Sequence, residues 1–141
     1  MSDSEANKTV IRKYVQHFNA GDIAGLRRVC APDAEIRGVL GWGSIELALP
    51  IWEALAKSLG MQLKIDDMIA EGDIVAVRYT ETGTARAPFF GNPATGKSYE
   101  LVAMEWFEVR GGKIARRWGV RDAASQAEQL GWSEPPSSNS V

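Results

Sequence analysis

Three charged residues near the C-terminal end have the types and spacing for proton-transfer chemistry: Glu105, Arg116 and Asp122. They belong to two runs rich in β-branched and aromatic residues, Ser98 to Arg110 and Lys113 to Arg121, joined at Gly111-Gly112. Two glycines suit the positive φ angles of a tight hairpin turn. A hairpin centred there sets Val109 opposite Ile114, Phe107 opposite Arg116, Glu105 opposite Trp118, Ala103 opposite Val120 and Leu101 opposite Asp122. Opposed residues share a face of the sheet, so the three charged groups are expected among apolar neighbours on the inward face. An unpaired buried charge is costly. The carboxylates therefore either pair with Arg116 or act as acid and base, and an apolar pocket would push a carboxylate pKa upward into a useful range. A one-residue bulge would invert this parity.

The elements that must hold the trio can be read from periodicity. Val10, Ile11, Tyr14, Val15 and Phe18 recur at helical spacing after Ser4, a candidate N-cap, and Gly21 ends that helix. Asp22 can cap a second helix carrying Ile23, Leu26 and Val29, which Pro32 stops. A short strand is expected from Ala34 to Val39, then a loop at Gly41-Trp42-Gly43-Ser44. An apolar helical segment runs to about Leu59, with Pro50 either starting a helix or kinking one. From Met61 the period changes to two: one strand reaches Ile69, Glu71-Gly72-Asp73 turns, and a second strand covers Ile74 to Thr84. A short helix over about Ala123 to Leu130 follows the hairpin.

Helices first and a strand meander afterwards predict an α+β fold. A curved antiparallel sheet closing over N-terminal helices leaves one pocket between the layers, where small ligands bind. Tyr14, Trp42, Trp52, Phe89 and Trp118 are the expected substrate-binding residues, with ordinary core packing as the competing role for the aromatics. His17, the single histidine, is expected at the surface or an interface, and Cys30 buried and inert.

With 141 residues the chain suits one domain, expected over residues 1–132, with a disordered tail over 133–141. A net charge of -2 gives no basic footprint for nucleic acid. The sequence has no apolar run of membrane-spanning length and an acidic, polar start, so a cytoplasmic protein is expected. One histidine and scattered acids give no metal-ligand pattern. The run Gly91-Asn92-Pro93-Ala94-Thr95-Gly96-Lys97-Ser98 fits a phosphate-binding loop by letter only. That motif needs a helix after it, whereas Tyr99-Glu100-Leu101-Val102-Ala103-Met104 reads as strand, so a loop at the pocket rim is expected.

A series of short motifs, in order, resembles the SnoaL-like polyketide cyclase family: Asn19-Ala20-Gly21-Asp22, Ala31-Pro32-Asp33-Ala34, Ala70-Glu71-Gly72-Asp73, Thr82-Gly83-Thr84, Phe90-Gly91, Gly112-Lys113-Ile114, Trp118, Asp122 and Gln129-Leu130-Gly131. The resemblance implies the cone-shaped fold of the nuclear transport factor 2-like superfamily, a pocket open at one end and a homodimer. It also implies aldol-type ring closure of a hydrophobic, carbonyl-bearing substrate with no metal or organic cofactor. In the family an aspartate in a W-x-x-x-D pattern serves as acid/base. That pattern is Trp118-Gly119-Val120-Arg121-Asp122 here, which makes Asp122 the expected catalytic group, aided by Glu105 and Arg116. A related branch suggests epoxide hydrolysis by the same trio, and a non-catalytic binding module is the third expectation.

Overall fold

The computed structural model describes residues 3–38 and 41–133, with the Trp42 side chain outside that set. The tail expected from Ser133 lies outside it beyond that residue, as does the strand end expected at Val39.

The first helix, α1 (Asp3–Ala20), turns Ile11, Tyr14, Val15 and Phe18 into the core. Ser4 lies within its first turn rather than capping it. Gly21, at φ 67°, ends the helix in the left-handed region that side chains other than glycine avoid. Just before it, Asn19 works as a backbone mimic. Its amide donates to the Leu63 carbonyl and accepts from the Leu63 N–H, both at 2.8 Å, and so ties the helix to a sheet edge. Helix α2 (Ile23–Val29) is capped by Asp22, which accepts from Gly25 N at 2.9 Å.

Strands β1 (Cys30–Gly38) and β2 (Gly41–Ser44) form an antiparallel pair, so the segment expected as a loop at Gly41 is a strand. The first of these strands begins at Cys30, earlier than Ala34. Helix α3 (Ile45–Ala54) holds Pro50 in its interior, which settles the choice between a start and an interruption. The helix then widens into a π-helical turn over Leu55–Leu59, closed by Gly60 at φ 56°.

The remaining strands, β3 (Gln62–Glu71), β4 (Ile74–Thr84), β5 (Ser98–Arg110) and β6 (Lys113–Arg121), make the meander the glycine turns predict. Helix α4 (Ala123–Leu130) completes the α+β fold. The six strands run in the order β2-β1-β6-β5-β4-β3. One expectation is corrected: β1 pairs with β6 in parallel, so the sheet is mixed. Tight turns impose antiparallel pairing only on consecutive strands, and β2, α3 and β3 to β5 all lie between β1 and β6 in the chain.

Two bulges reset which residues face inward. In β3 the register shifts between Ile65 and Asp67, leaving Ile69 68% exposed. In β6, Ile114 pairs with Val109 but Arg116 pairs with Glu108, so Ala115 is the extra residue. From there to Arg121 the parity is opposite to that of an unbroken hairpin. Phe107 faces Arg117, Glu105 faces Gly119, Met104 faces Val120 and Ala103 faces Arg121.

Asp122 ends this strand and caps α4, accepting from Ser125 N at 3.0 Å. Replacing a capping aspartate by alanine costs about 1 kcal/mol. Asp122→Ala should lower the unfolding free energy in urea by about that amount. An unchanged midpoint would show that the cap contributes nothing to stability.

Candidate active site

A cavity of about 390 Å³ lies between the sheet and the helices, walled by Tyr14, Trp52, Phe89 and Tyr79 with Glu105 and Arg117 at its polar end. Each wall group has a sequence reason. Tyr14 comes from the apolar stripe of α1 and Trp52 from that of α3. Tyr79 and Glu105 fall on the inward alternation of β4 and β5, and the Ala115 bulge delivers Arg117.

Glu105 is the charged group around which this end is packed. Its side chain is 9% exposed and that of Arg117 10%. Glu105 Oε2 accepts from the Tyr14 hydroxyl at 3.1 Å and lies 3.1 Å from Arg117 Nε. The guanidinium sits over the Trp52 ring, 5.6 Å from its centroid, a cation–π arrangement that replaces some of the lost hydration. Tyr14 is braced edge-on by Trp52 and Phe107, with centroids at 5.7 and 5.2 Å. Gly119 gives the arginine its room: a Cβ there would fall 2.0 Å from Arg117 Nη1.

Four buried side-chain atoms have no hydrogen-bond partner among the described groups: Tyr79 Oη, Glu105 Oε1, Arg117 Nε and Gln126 Nε2. An unsatisfied buried polar atom costs about 1–3 kcal/mol. Arg117 Nε still has the Coulombic attraction of Glu105, and the first three atoms belong to residues that line the cavity.

A second buried ion pair lies farther along the same face. Arg121 Nε donates to Glu81 Oε1 at 3.0 Å, and Nη2 donates to Oε2 in a bidentate pair. Tyr99 donates to Glu81 Oε2 at 2.6 Å, while Arg121 Nη1 donates to Gln126 Oε1 at 2.9 Å. Arg121 stands opposite the small Ala103 of β5 and Glu81 opposite Leu101, so the guanidinium reaches diagonally across β5.

Burial sets the protonation of the neighbours. It is the largest cause that pushes Tyr14 and Tyr79 well above the ordinary tyrosine value, and the Glu105 charge adds to it. Tyr99 is raised by burial and by Glu81. Burial lowers Arg117, but the electrostatic interactions with Glu105, Tyr14, Tyr79 and Cys30 together outweigh it and leave the guanidinium more firmly protonated. The Cys30 thiol, deeper in the core, is pushed up to about 12 by burial.

The expected site residues are distributed unevenly. Tyr14, Trp52, Phe89 and Glu105 line the cavity together. Arg116 does not join them. It is 48% exposed and pairs with Glu35 across 3.3 Å. Asp122 is exposed at the head of α4, and Trp118 is not among the lining residues. The inward placement of Arg116, Trp118 and Asp122 rested on an unbroken hairpin, which the Ala115 bulge overturns. The Trp42 side chain lies outside the described residues. Residues the sequence reading did not single out are Tyr79, Glu81, Arg117 and Arg121. The alternation Val75, Val77, Tyr79, Glu81 was the available signal for the first two. His17 lies half-buried with Nδ1 3.1 Å from Asp22 Oδ2 and is not among the residues that line the cavity. Loop 85–97 carries a bridge between Phe89 and Asn92 and leads into β5, so the phosphate-loop pattern has no helix. Among the described residues no three His, Cys, Asp or Glu side chains gather as metal ligands. No helix among them is long and apolar enough to cross a membrane.

A family model for SnoaL-like polyketide cyclases matches residues 8–130. Among solved structures, IdmH of Streptomyces antibioticus, a candidate polyketide cyclase, is 29% identical, with 89% of this chain and 98% of that one covered at a TM-score of 0.80. AclR of Streptomyces galilaeus, a candidate hydroxylase, is 25% identical, with 92% and 87% covered at a TM-score of 0.83. An epoxide hydrolase-like protein of M. tuberculosis shares the fold at 13% identity, with 92% of each chain covered and a TM-score of 0.75. No match was found among curated protein sequences.

The chain has three tyrosines, and all three are raised. Their folded pKa values exceed the unfolded 10.0, so the stability they contribute is complete below that pH and is lost as pH rises above it. A spectrophotometric titration should show no tyrosinate in the native protein at about pH 10, where a free tyrosine is half ionised. The signal should appear only together with alkaline unfolding. A native protein with tyrosinate absorbance at that pH would contradict the buried placement.

Proposed function

The chain belongs to the SnoaL-like polyketide cyclase family, and on that premise we propose that its cavity binds a hydrophobic, carbonyl-bearing small molecule and that Glu105 moves a proton on it. The observation that carries this reading is the Glu105 carboxylate itself. Its side chain is 9% exposed, its Oε2 is held by Tyr14 and lies against Arg117, and the residue lines an apolar cavity.

The chemistry needs few parts. A carbon flanked by carbonyls loses its proton to Glu105 Oε1, leaving an enolate. The enolate carbon attacks a second carbonyl carbon of the same molecule; a C–C bond forms and the carbonyl π pair moves to oxygen. The proton then passes from Glu105 to that oxygen, so atoms and charge balance without a co-reactant. Arg117, firmly cationic beside Glu105, supplies positive charge where negative charge develops. The neutral Tyr79 hydroxyl can donate to a carbonyl oxygen. The walls contribute by holding a reactive conformer. In this reading Asp122 acts as the cap of α4, and its separation from Glu105 and Arg116 removes the geometry an epoxide-opening trio would need.

The test is deuterium incorporation into the benzylic α-carbon of 2-tetralone, followed by NMR in deuterated buffer. Wild-type protein should accelerate exchange. Glu105→Gln, which keeps shape and removes the base, should lower the protein-dependent rate by about 10²–10⁴-fold. Equal rates for the two folded proteins would sink the catalytic role and leave a binding module.

A homodimer is part of the same proposal. On the outer face, Val102, Met104, Trp106 and Val120 are 53%, 48%, 50% and 65% exposed. Met104 stands directly opposite Val120, and the alternation of β5 keeps Val102 and Trp106 on that face. An apolar strip of this kind marks a contact surface, and a second copy can meet it with the same strip. Analytical ultracentrifugation should find a dimer that Trp106→Glu converts to monomer. A monomeric wild type at high micromolar concentration would overturn it.

A further inference from the structure

The cavity is closed along most of its wall and open at one place. Tyr14, Phe18, Leu63, Tyr79 and Phe89 line it and are buried. Leu47, Met104 and Val120 line it too, yet they are 65%, 48% and 65% exposed. Residues that both line a cavity and meet solvent mark its mouth. The sheet accounts for the position. Among the described residues the pairing of β6 with β1 ends at Trp118, so Gly119 to Arg121 have β5 on one side and no paired strand on the other. The cavity reaches the surface past this free edge, towards the start of α3. There Leu47 lies over the bare Gly43, where a Cβ would meet the Leu47 Cβ at 3.1 Å.

Two of the mouth residues belong to the outer apolar strip. Met104 and Val120 stand opposite each other, and Val102 and Trp106 continue the strip without lining the cavity. The polar end lies just inside. Glu105 follows Met104 in β5, and Gly119, which stands opposite Glu105, precedes Val120 in β6. The rim of the strip carries both signs of charge. Arg78 stands opposite Met104 on the other side, Arg116 pairs with Glu35, and Glu100 continues the strip along β5. A mixed rim of this kind can meet its own copy with acids against bases. An anionic lipid surface asks instead for a basic face.

We propose that a second copy of this chain closes the mouth, covering Met104 and Val120 and completing the wall beside Glu105, so that the dimer is the ligand-binding form. The inference rests on the two readings above, the cavity as a small-molecule site and the strip as a dimer contact, and adds the coupling between them. Closure takes the lip and the ligand out of water in one step, which is favourable in proportion to the apolar area covered. It also excludes water from the Glu105–Arg117 end, where every electrostatic interaction is thereby strengthened. Partner and ligand then assist each other reciprocally, because a ligand that binds the dimer better must tighten the dimer in return.

The experiment titrates 2-tetralone into the full chain by calorimetry, for the dimeric wild type and for Trp106→Glu. Trp106 does not line the cavity, so its replacement reaches the probe only through the partner. The monomeric variant, with an unchanged far-UV circular dichroism spectrum, should bind the probe about 5–150-fold more weakly, the usual span of coupling between two sites. The wild type gives a second readout that needs no variant: saturating 2-tetralone should lower its dimer dissociation constant in sedimentation velocity. Equal affinity in monomer and dimer, or a dimer constant that the probe does not move, overturns closure while leaving both the cavity and the dimer in place. A dimer that binds no probe takes the cavity reading with it, and a chain that is monomeric with and without the probe takes the dimer.

Discussion

Two arginines of one strand point into an apolar interior, and the structure is organised around neutralising them. A buried guanidinium without a counter-charge is strongly destabilising, and breaking a buried pair costs about 3–5 kcal/mol. Arg117 and Arg121 each find a glutamate, but from different strands: Glu105 next door on β5, and Glu81 two strands away on β4. The residues between and around them are shaped by that need. Ala103 is small where Arg121 must cross, Gly119 is bare where Arg117 must lie, and Trp52 offers its ring to the guanidinium.

The same constraint fixes the helices. Tyr14 on α1 donates to Glu105, so the first helix is attached to the middle of the sheet by a polar contact as well as by its apolar stripe. Asn19 attaches its end to the β3 edge through paired amide bonds. Phe89 closes another wall. It stacks on Trp132 with ring planes 9° apart, and the Trp132 indole donates to the Pro93 carbonyl at 3.0 Å. Loop 85–97 is thereby held against the segment that follows α4. A cavity of about 390 Å³ survives because its walls are braced from outside rather than filled from within.

Much of this was legible in the sequence. The turns at Gly72 and Gly111-Gly112 lie in the left-handed region, so glycine marks them, and the flanking alternation gave β3 to β6 and α4 nearly to the residue. Tyr14, Trp52 and Glu105 lie on stripes that periodicity assigns to the interior, while Phe89 comes from loop 85–97. The rest failed at one residue. Ala115 carries no glycine, proline or other local sign of a bulge, yet it flips every later side chain of β6. Arg116, Trp118 and Asp122 were read inward for that reason alone. The parallel pairing of β1 with β6 was invisible for a different reason: it joins segments some eighty residues apart, with no turn to announce it.

The two ion pairs differ in a way that bears on what each is for. Glu81 receives Arg121 through both oxygens and Tyr99 through one, so a ligand would have to displace a protein bond to reach it. That pair is suited to holding three strands and α4 in register. Glu105 has the same charge and similar burial and also lines the cavity, but protein groups engage it less completely, with one of its oxygens outside ordinary hydrogen-bond geometry. If stability alone were the requirement, a nearby side chain could complete that oxygen, as Tyr99 and Gln126 complete the other pair. An incomplete polar site inside a well-braced apolar chamber costs stability, and a bound molecule can return that cost only by presenting the missing partners. The asymmetry between two otherwise similar pairs is therefore the strongest physical reason to place the chemistry at Glu105.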